Sequence, residues 1–150
     1  MCIIKWFKYS VKLLIMNNNR DIIDDISIEQ LINLQKQPGR MIVLKFTATW
    51  CRPCQTIKQL CNDCFTHLPE NVFIIELDID NNLDLYSLMK KHRIVSGIPA
   101  ILAWYPDASR EPSRWYIPND SVSGSSKTEV FDFFKRCNEK ASRFLNNCRI

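Results

Sequence analysis

Two cysteines at the predicted start of a helix are the residues best suited to chemistry. Cys51 and Cys54 are separated by Arg52 and Pro53 and follow the apolar run Met41–Thr47. A thiolate is the reactive form of cysteine, and unpaired N–H groups at a helix N-terminus stabilise its negative charge. Proline at an early helical position loses no hydrogen bond. The pattern predicts dithiol–disulfide exchange, with Cys51 as the accessible nucleophile and Cys54 as the shielded resolving thiol.

A second cysteine pair raises the alternative of a metal site. Cys61 and Cys64 repeat the two-residue spacing further along the same predicted helix. About 10.5 Å of helix axis separates Cys54 from Cys61, whereas each sulfur that binds a zinc ion lies about 2.3 Å from it. One helix cannot gather all four thiolates, so we expect no metal. We interpret Cys61 and Cys64 as small core residues, with a redox or regulatory role as the alternative, and Cys137 and Cys148 also as core residues.

The two histidines do not form a recognisable catalytic pattern with a cysteine. His67 and His92 lie near predicted helix ends, where an imidazole can satisfy free carbonyl groups. We assign neither to catalysis. A cysteine-protease mechanism is therefore not indicated.

Hydrophobic patterning predicts the elements that position the cysteines. Predicted helices begin at Ser27, at the cysteines, near Leu83 and at Ser126, where Ser27/Gln30 and Ser126/Glu129 form capping boxes. The order βαβαβαββα predicts an α/β fold with a central mixed β-sheet flanked by helices on both faces. The predicted strands are Asp21–Ile26, Met41–Thr47, Val72–Ile79, Ala100–Tyr105 and Arg114–Ile117, the last two forming an antiparallel hairpin.

Length and charge exclude several classes of protein. The chain has 150 residues, which suits one domain. Its net charge of +4 comes from residues 1–20, and the other residues carry 16 basic and 16 acidic side chains. A basic face for nucleic acid is therefore not indicated. The seven cysteines do not form a secreted disulfide pattern, and lysines interrupt every apolar run near the N-terminus. We expect a reducing, cytoplasmic location.

Residues 1–19 are predicted to be a basic N-terminal extension. Lys5, Lys8 and Lys12 recur at helical spacing among apolar side chains, and an Asn17–Asn19 triplet follows. The extension is interpreted as disordered or loosely packed, or as preceding a true start at Met16. A basic amphipathic segment that contacts a membrane surface or a partner is the alternative.

The arrangement of motifs resembles the thioredoxin family over residues 21–147. It consists of a strand, the sequence Trp50-Cys51-Arg52-Pro53-Cys54, a helix, a second apolar strand and Gly97-Ile98-Pro99. The resemblance implies a thioredoxin fold for residues 20–150. It also implies that Pro99 is cis and packs against the dithiol, and that the backbone of Ile98 pairs with a substrate polypeptide. The implied substrate groove consists of Trp50, Arg52, Pro53, Ile98 and Pro99.

The resemblance implies a monomeric protein-disulfide reductase. Its substrates would be disulfide-containing proteins, its electron donor a thioredoxin-reductase-like protein or glutathione, and no bound cofactor would be needed. Two alternatives stay open. One is an oxidase- or isomerase-like member with the same chemistry, and the other is a protein-interaction module that retains the fold with little catalysis.

Two charged positions depart from the family pattern. Thioredoxins usually carry a buried aspartate where this chain has Lys45, and many carry a lysine where it has Glu76. Burying an unpaired lysine is costly, so a glutamate partner explains its presence. We hypothesise that Lys45–Glu76 handles protons with reversed polarity, and the alternative is that Lys45 only extends to solvent. Arg52, where thioredoxins have glycine, favours a more oxidising pair.

Overall fold

The computed structural model describes residues 20–106 and 108–148. Their strands form one five-stranded sheet in the order β1-β3-β2-β4-β5. Strands β1, β3 and β2 are parallel to one another, whereas β4 is antiparallel to both β2 and β5. The strands are β1 (Ile22–Ile23), β2 (Met41–Thr47), β3 (Val72–Asp78), β4 (Ala100–Trp104) and β5 (Asp120–Ser123).

Helices cover both faces of this sheet. The helices are α1 (Ile28–Gln35), α2 (Arg52–His67), α3 (Leu83–Lys91) and α4 (Lys127–Cys148), with a 3-10 turn at Pro112–Arg114. Apolar residues of α1 and α3 pack in one core cluster, and those of α2 and α4 pack in a second cluster on the opposite face. The predicted mixed α/β architecture is confirmed.

Central strand β2 contributes to both clusters because successive side chains of a strand point to opposite faces. Leu44 and Phe46 belong to the cluster of α1 and α3, and Val43 belongs to that of α2 and α4. Lys45 therefore points towards α2 and α4 from the middle of the sheet. Its side chain is only 1% exposed.

The outer strands differ from the sequence predictions. Strand β1 contains two residues rather than Asp21–Ile26, since only Ile22 and Ile23 pair with β3. The prediction of a strand at Arg114–Ile117 is wrong. That segment starts at the last residue of the 3-10 turn, and the strand that pairs with β4 is Asp120–Ser123. The aromatic side chains of the segment pack instead against the cluster of α1 and α3.

The predicted N-terminal extension lies outside the described residues. Within residues 20–106 and 108–148, none of the helices has the length and apolar character that crossing a membrane requires.

Candidate active site

The site is built where β2 ends and α2 begins. Cys51 is the N-cap of α2 in an extended conformation, and its sulfur accepts a hydrogen bond from the Cys54 N–H at 3.2 Å. Cys51 and Cys54 are joined as a disulfide, with 5.2 Å between their Cα atoms. Pro53 stands in the first turn, where its missing N–H would have had no helical partner. The backbone thus directs the N-terminus of α2 at the sulfur of Cys51.

A cis peptide bond between Ile98 and Pro99 faces the disulfide. The carbonyl oxygen of Ile98 lies 3.9 Å from the Cys51 sulfur. Pro99 is buried just before β4, and its own carbonyl accepts a bond from Gly124 N–H at 3.0 Å. This loop covers the cysteines, so only 4% of Cys51 and 1% of Cys54 are exposed. The exposure of Cys51 in the disulfide form is smaller than the sequence led us to expect.

The rim of the site is open to solvent. Trp50 is 65% exposed, and its indole Nε1 donates a hydrogen bond of 2.8 Å to Asp80 Oδ2. Arg52 and Pro53 are exposed on the first turn of α2. The structure therefore places the five residues of the predicted groove around one disulfide, with Trp50 held at the edge.

Asp80 is a site residue that the sequence analysis missed. It lies two residues beyond β3, which pairs in parallel with β2. Loops that follow neighbouring parallel strands meet at the same edge of a sheet. A signal for Asp80 was therefore present in the sequence, because β2 leads to the cysteines and β3 leads to Asp80.

Lys45 and Glu76 form an ion pair beneath the N-terminal part of α2. They are direct partners in the β2–β3 ladder, and Lys45 Nζ donates to Glu76 Oε2 at 2.9 Å. The Lys45 side chain is 1% exposed and that of Glu76 is 25% exposed. One partner is therefore buried with its charge compensated, and the other reaches solvent.

A polar cavity of about 310 Å³ connects this ion pair with α2. Lys45, Glu76 and Asp78 contribute from the sheet, and Gln55 and Lys58 contribute from the helix. Gln55 is the residue after Cys54, and its side chain donates to the Ala48 carbonyl at 3.3 Å. Water in this cavity would have access to both the ion pair and the helix turn that carries the disulfide.

Cys61, Cys64 and Cys137 have surroundings that disfavour the thiolate form. Burial raises the pKa of the Cys61 thiol to about 11, against a smaller lowering by Lys45. Burial also raises the pKa of the half-buried Cys64 thiol and of the fully buried Cys137 thiol. Thiolate is the reactive form, so burial disfavours the reactive form of all three thiols. Across the described residues, no group of three or more His, Cys, Asp or Glu side chains is arranged to hold a metal ion.

The two histidines make contacts near helix ends, away from the disulfide in sequence. His67 Nδ1 lies 2.7 Å from the Asp63 carbonyl near the end of α2, so that nitrogen is the donor. His92, at the end of α3, stacks on Tyr116 with 4.0 Å between ring centroids.

Comparisons with known proteins agree on one family. The family model described as Thioredoxin matches residues 25–115. Over 118 residues the chain is 36% identical to a thioredoxin of Ophiophagus hannah, and the match covers 77% of this chain and 95% of the relative. It is 25% identical to the chloroplastic thioredoxin-like protein CITRX of Oryza sativa subsp. indica, covering 69% of this chain but only 52% of that protein.

Solved structures show the same similarity. Fasciola hepatica thioredoxin superposes with a TM-score of 0.52 at 25% identity, covering 73% of this chain and 89% of that chain. Malassezia sympodialis thioredoxin superposes with a TM-score of 0.58 at 16% identity, covering 80% of this chain and 96% of that chain. The second likeness concerns the fold alone.

Proposed function

Because the chain belongs to the thioredoxin family, we propose that it is a protein-disulfide reductase that works through Cys51 and Cys54. Membership and the paired cysteines support thiol–disulfide oxidoreductase activity as the general class. The observation that carries the proposal is the Cys51–Cys54 disulfide at the N-terminus of α2, facing the cis Ile98–Pro99 bond.

The proposed reaction begins from the reduced dithiol. The Cys51 thiolate attacks one sulfur of a substrate disulfide, so that a Cys51–substrate bond forms and the substrate S–S bond breaks. The leaving substrate sulfur takes up a proton. The Cys54 thiolate then attacks the Cys51 sulfur and releases the second substrate thiolate, which is also protonated. Two electrons pass to the substrate, and the Cys51–Cys54 disulfide of the structure results.

We propose that substrates bind across the exposed rim. The backbone of Ile98 would pair with an extended substrate segment, in the manner of strand addition. Trp50, oriented by Asp80, would form one wall, and Pro99, Arg52 and Pro53 would complete the groove around the disulfide. Its substrates would be disulfide-containing proteins, and reduction of the oxidised form would require a reductase or glutathione.

Lys45 and Glu76 are proposed to handle protons at this site. The ammonium of Lys45 would favour an anionic sulfur in the turn above it, because opposite charges attract and Lys45 is almost completely buried. Water in the adjacent cavity would carry the proton that Cys54 releases before it attacks. Glu76 compensates the buried charge of Lys45, so the site would work with the opposite polarity from that usual in thioredoxins.

A more oxidising, oxidase-like activity is the second candidate. Arg52 lies between the two cysteines, and Lys45 adds another positive charge below α2. Cations that stabilise the reduced thiolate raise the reduction potential of a dithiol pair. Equilibration with glutathione buffers of known potential distinguishes this candidate from a reductase. The cytoplasmic location and the monomeric state stay predictions.

The test of the proposed function is reduction of insulin disulfides driven by dithiothreitol. We expect the wild type to exceed the uncatalysed rate and Cys51→Ser to abolish the increase. Reduced Cys54→Ser, mixed with insulin after the dithiothreitol has been removed, should accumulate a mixed disulfide through Cys51. A wild type that does not exceed the dithiothreitol background would contradict the proposal and favour a protein-interaction module.

A further inference from the structure

An open apolar groove runs along the outer seam between α2 and α4. Its volume is about 480 Å³, and Phe131 in it is 53% exposed. An exposed aromatic ring in a continuous apolar patch is typical of a binding surface. The apolar lining of this α2–α4 groove consists of Leu60, Cys64, Leu68, Phe131 and Phe134.

The described chain begins beside one end of this groove. The guanidinium of Arg20 donates to the Leu68 carbonyl at 3.1 Å and to the Pro69 and Val72 carbonyls at 3.0 Å each. Leu68 also lines the groove. These three bonds hold Arg20, the first described residue, at the Leu68 end of the groove.

Residues 1–19 have the composition that this groove would accommodate. At helical spacing, Ile3, Phe7 and Leu14 share the side opposite Lys5, Lys8 and Lys12. The segment contains no acidic residue. The groove carries two acidic side chains, Asp63 and Glu139, against one lysine, Lys135. Polarity and charge are therefore complementary.

We propose that the apolar side of residues 3–14 docks into the α2–α4 groove of its own chain. The six Cα–Cα steps from Leu14 to Arg20 can span about 20 Å when extended. The groove from Leu60 to Leu68 is about 12 Å long. A tether of this length gives an effective concentration in the millimolar range, which favours the chain's own segment over a second copy.

The topology argues against an acidic hollow as the binding site of the segment. That hollow, lined by Asp25, Glu29, Asp80 and Asp84, lies where α1 and α3 begin. Arg20 contacts the first residue of β3, whereas Asp80 lies beyond its last residue. A strand of seven residues spans about 23 Å, so Arg20 lies at the end of β3 opposite to this hollow.

The docking is independent of the proposed function. Leu60, the groove residue nearest to the disulfide in sequence, lies about 13 Å along α2 from Cys51. Insulin reduction should therefore be unchanged in variants that release the segment. If the proposed function failed its test, this inference would still stand, and if the docking failed its test, the proposed function would still stand.

Photo-crosslinking tests the contact in the full-length chain. A benzoylphenylalanine in place of Phe7 should form intramolecular crosslinks to peptides that contain Cys64–Leu68 or Phe131–Asn138. Phe131→Asp should abolish them, and Thr128→Asp, an exposed position one turn earlier on α4, should not. Crosslinks only between two chains, only to the hollow at Asp25–Glu29, or to neither site would overturn the proposal.

Alkylation of Cys64 provides the second readout. In the wild type the docked segment should slow iodoacetamide modification of Cys64, which peptide mass mapping distinguishes from that of other thiols. Phe7→Ser with Leu14→Ser should accelerate it about tenfold, as expected if the segment is docked about 90% of the time. The matched control is Tyr9→Ser with Met16→Ser, on the lysine side. Equal rates in all three proteins would refute docking, as would protection that appears only with anionic phospholipid vesicles.

Discussion

Lys45 and Glu76 are joined across the β2–β3 ladder by a 2.9 Å ion pair, of which only the glutamate reaches solvent. Glu76 therefore holds the buried Lys45 side chain in place below the disulfide. The first two predictions concern this ion pair, the first its effect on the dithiol and the second its contribution to stability.

Replacing Lys45 by methionine should move thiolate formation at the dithiol to higher pH. The substitution keeps most of the buried volume and removes the positive charge that favours a sulfur anion. The resolving step should slow on the order of a hundredfold, the low end for a lost proton-transfer group. Thiolate absorbance near 240 nm across a pH titration measures the first effect, and stopped-flow reduction measures the second. Lys58→Met, which removes an exposed lysine from the same cavity, is the control. An unchanged titration in Lys45→Met would eliminate the proton-handling role.

Exchanging the two charges should restore stability that a single change removes. Lys45→Asp alone sets two carboxylates side by side, and we expect a loss of about 3 kcal/mol, the low end for breaking a buried pair, because Glu76 is partly exposed. Adding Glu76→Lys should recover at least half of that loss. Urea unfolding of the wild type, both single variants and the double variant gives the coupling energy. Simple additivity would mean that the ion pair is not coupled energetically.

Removing Asp80 should weaken substrate binding more than it slows turnover. Asp80→Ala deletes the acceptor that orients the Trp50 indole at the edge of the groove. A loss of about 0.7 kcal/mol, typical of one hydrogen bond, corresponds to about a threefold higher KM for insulin. Asp84→Ala removes another exposed carboxylate at the same end of the sheet and should leave KM unchanged. A fall in kcat with constant KM would instead place Asp80 in the chemical steps.

Stability should fall as the pH rises above about 9, partly because of Cys61. Its thiol has a pKa of about 11 in the fold and an ordinary value of 9.0. Between these values the unfolded chain releases a proton that the folded chain retains, so unfolding is increasingly favoured by up to about 2 kcal/mol. Cys61→Val should flatten this slope between pH 9 and 11. Ile57→Val, on the same buried side of α2, should lower stability equally at each pH. An identical slope in the wild type and Cys61→Val would contradict the assignment.

The central part of the fold could be predicted from local sequence signals. The β2 run MIVLKFT, the β3 run and the Ser27–Gln30 capping box were each predicted and are present. Both hydrogen bonds of that capping box form, at 2.8 and 3.1 Å. Signals of this kind lie within a few neighbouring residues, so they can be read without knowledge of tertiary contacts.

The outer strand β5 could not be predicted in the same way. Its residues DSVS carry one apolar side chain, and an edge strand needs only backbone pairing with β4. Trp115 and Tyr116 suggested a strand because aromatic residues are common in strands. In the fold they pack on a helix-covered face, and the Trp115 carbonyl accepts bonds from Gln35 and Trp104. Those partners are distant in sequence, so no local sequence pattern indicates these contacts.

The residues of the candidate site also fall into those that local sequence signals could predict and those that depend on tertiary contacts. Cys51, Cys54 and Pro99 are marked by a motif, and the pairing of Lys45 with Glu76 was hypothesised from two departures from the family pattern and is present in the β2–β3 ladder. The contact between Trp50 and Asp80, and the cavity that joins the ion pair to Gln55, depend on how loops and helix meet in space. Such features required the structure.

The two outer strands affect the tendency of folded copies of this protein to aggregate through their sheet edges. Strand β1 has two residues, and β5 has four, of which three are polar. One of these, Asp120, forms an ion pair with Arg136 of α4. A long, flat, apolar border is what permits one β-sheet to extend into another and to start aggregation. Within residues 20–106 and 108–148, the sheet offers such a border on neither side, so its two edges are poor templates for edge-to-edge fibril growth. The aggregation-prone segments β2 and β3 become available only when the chain unfolds.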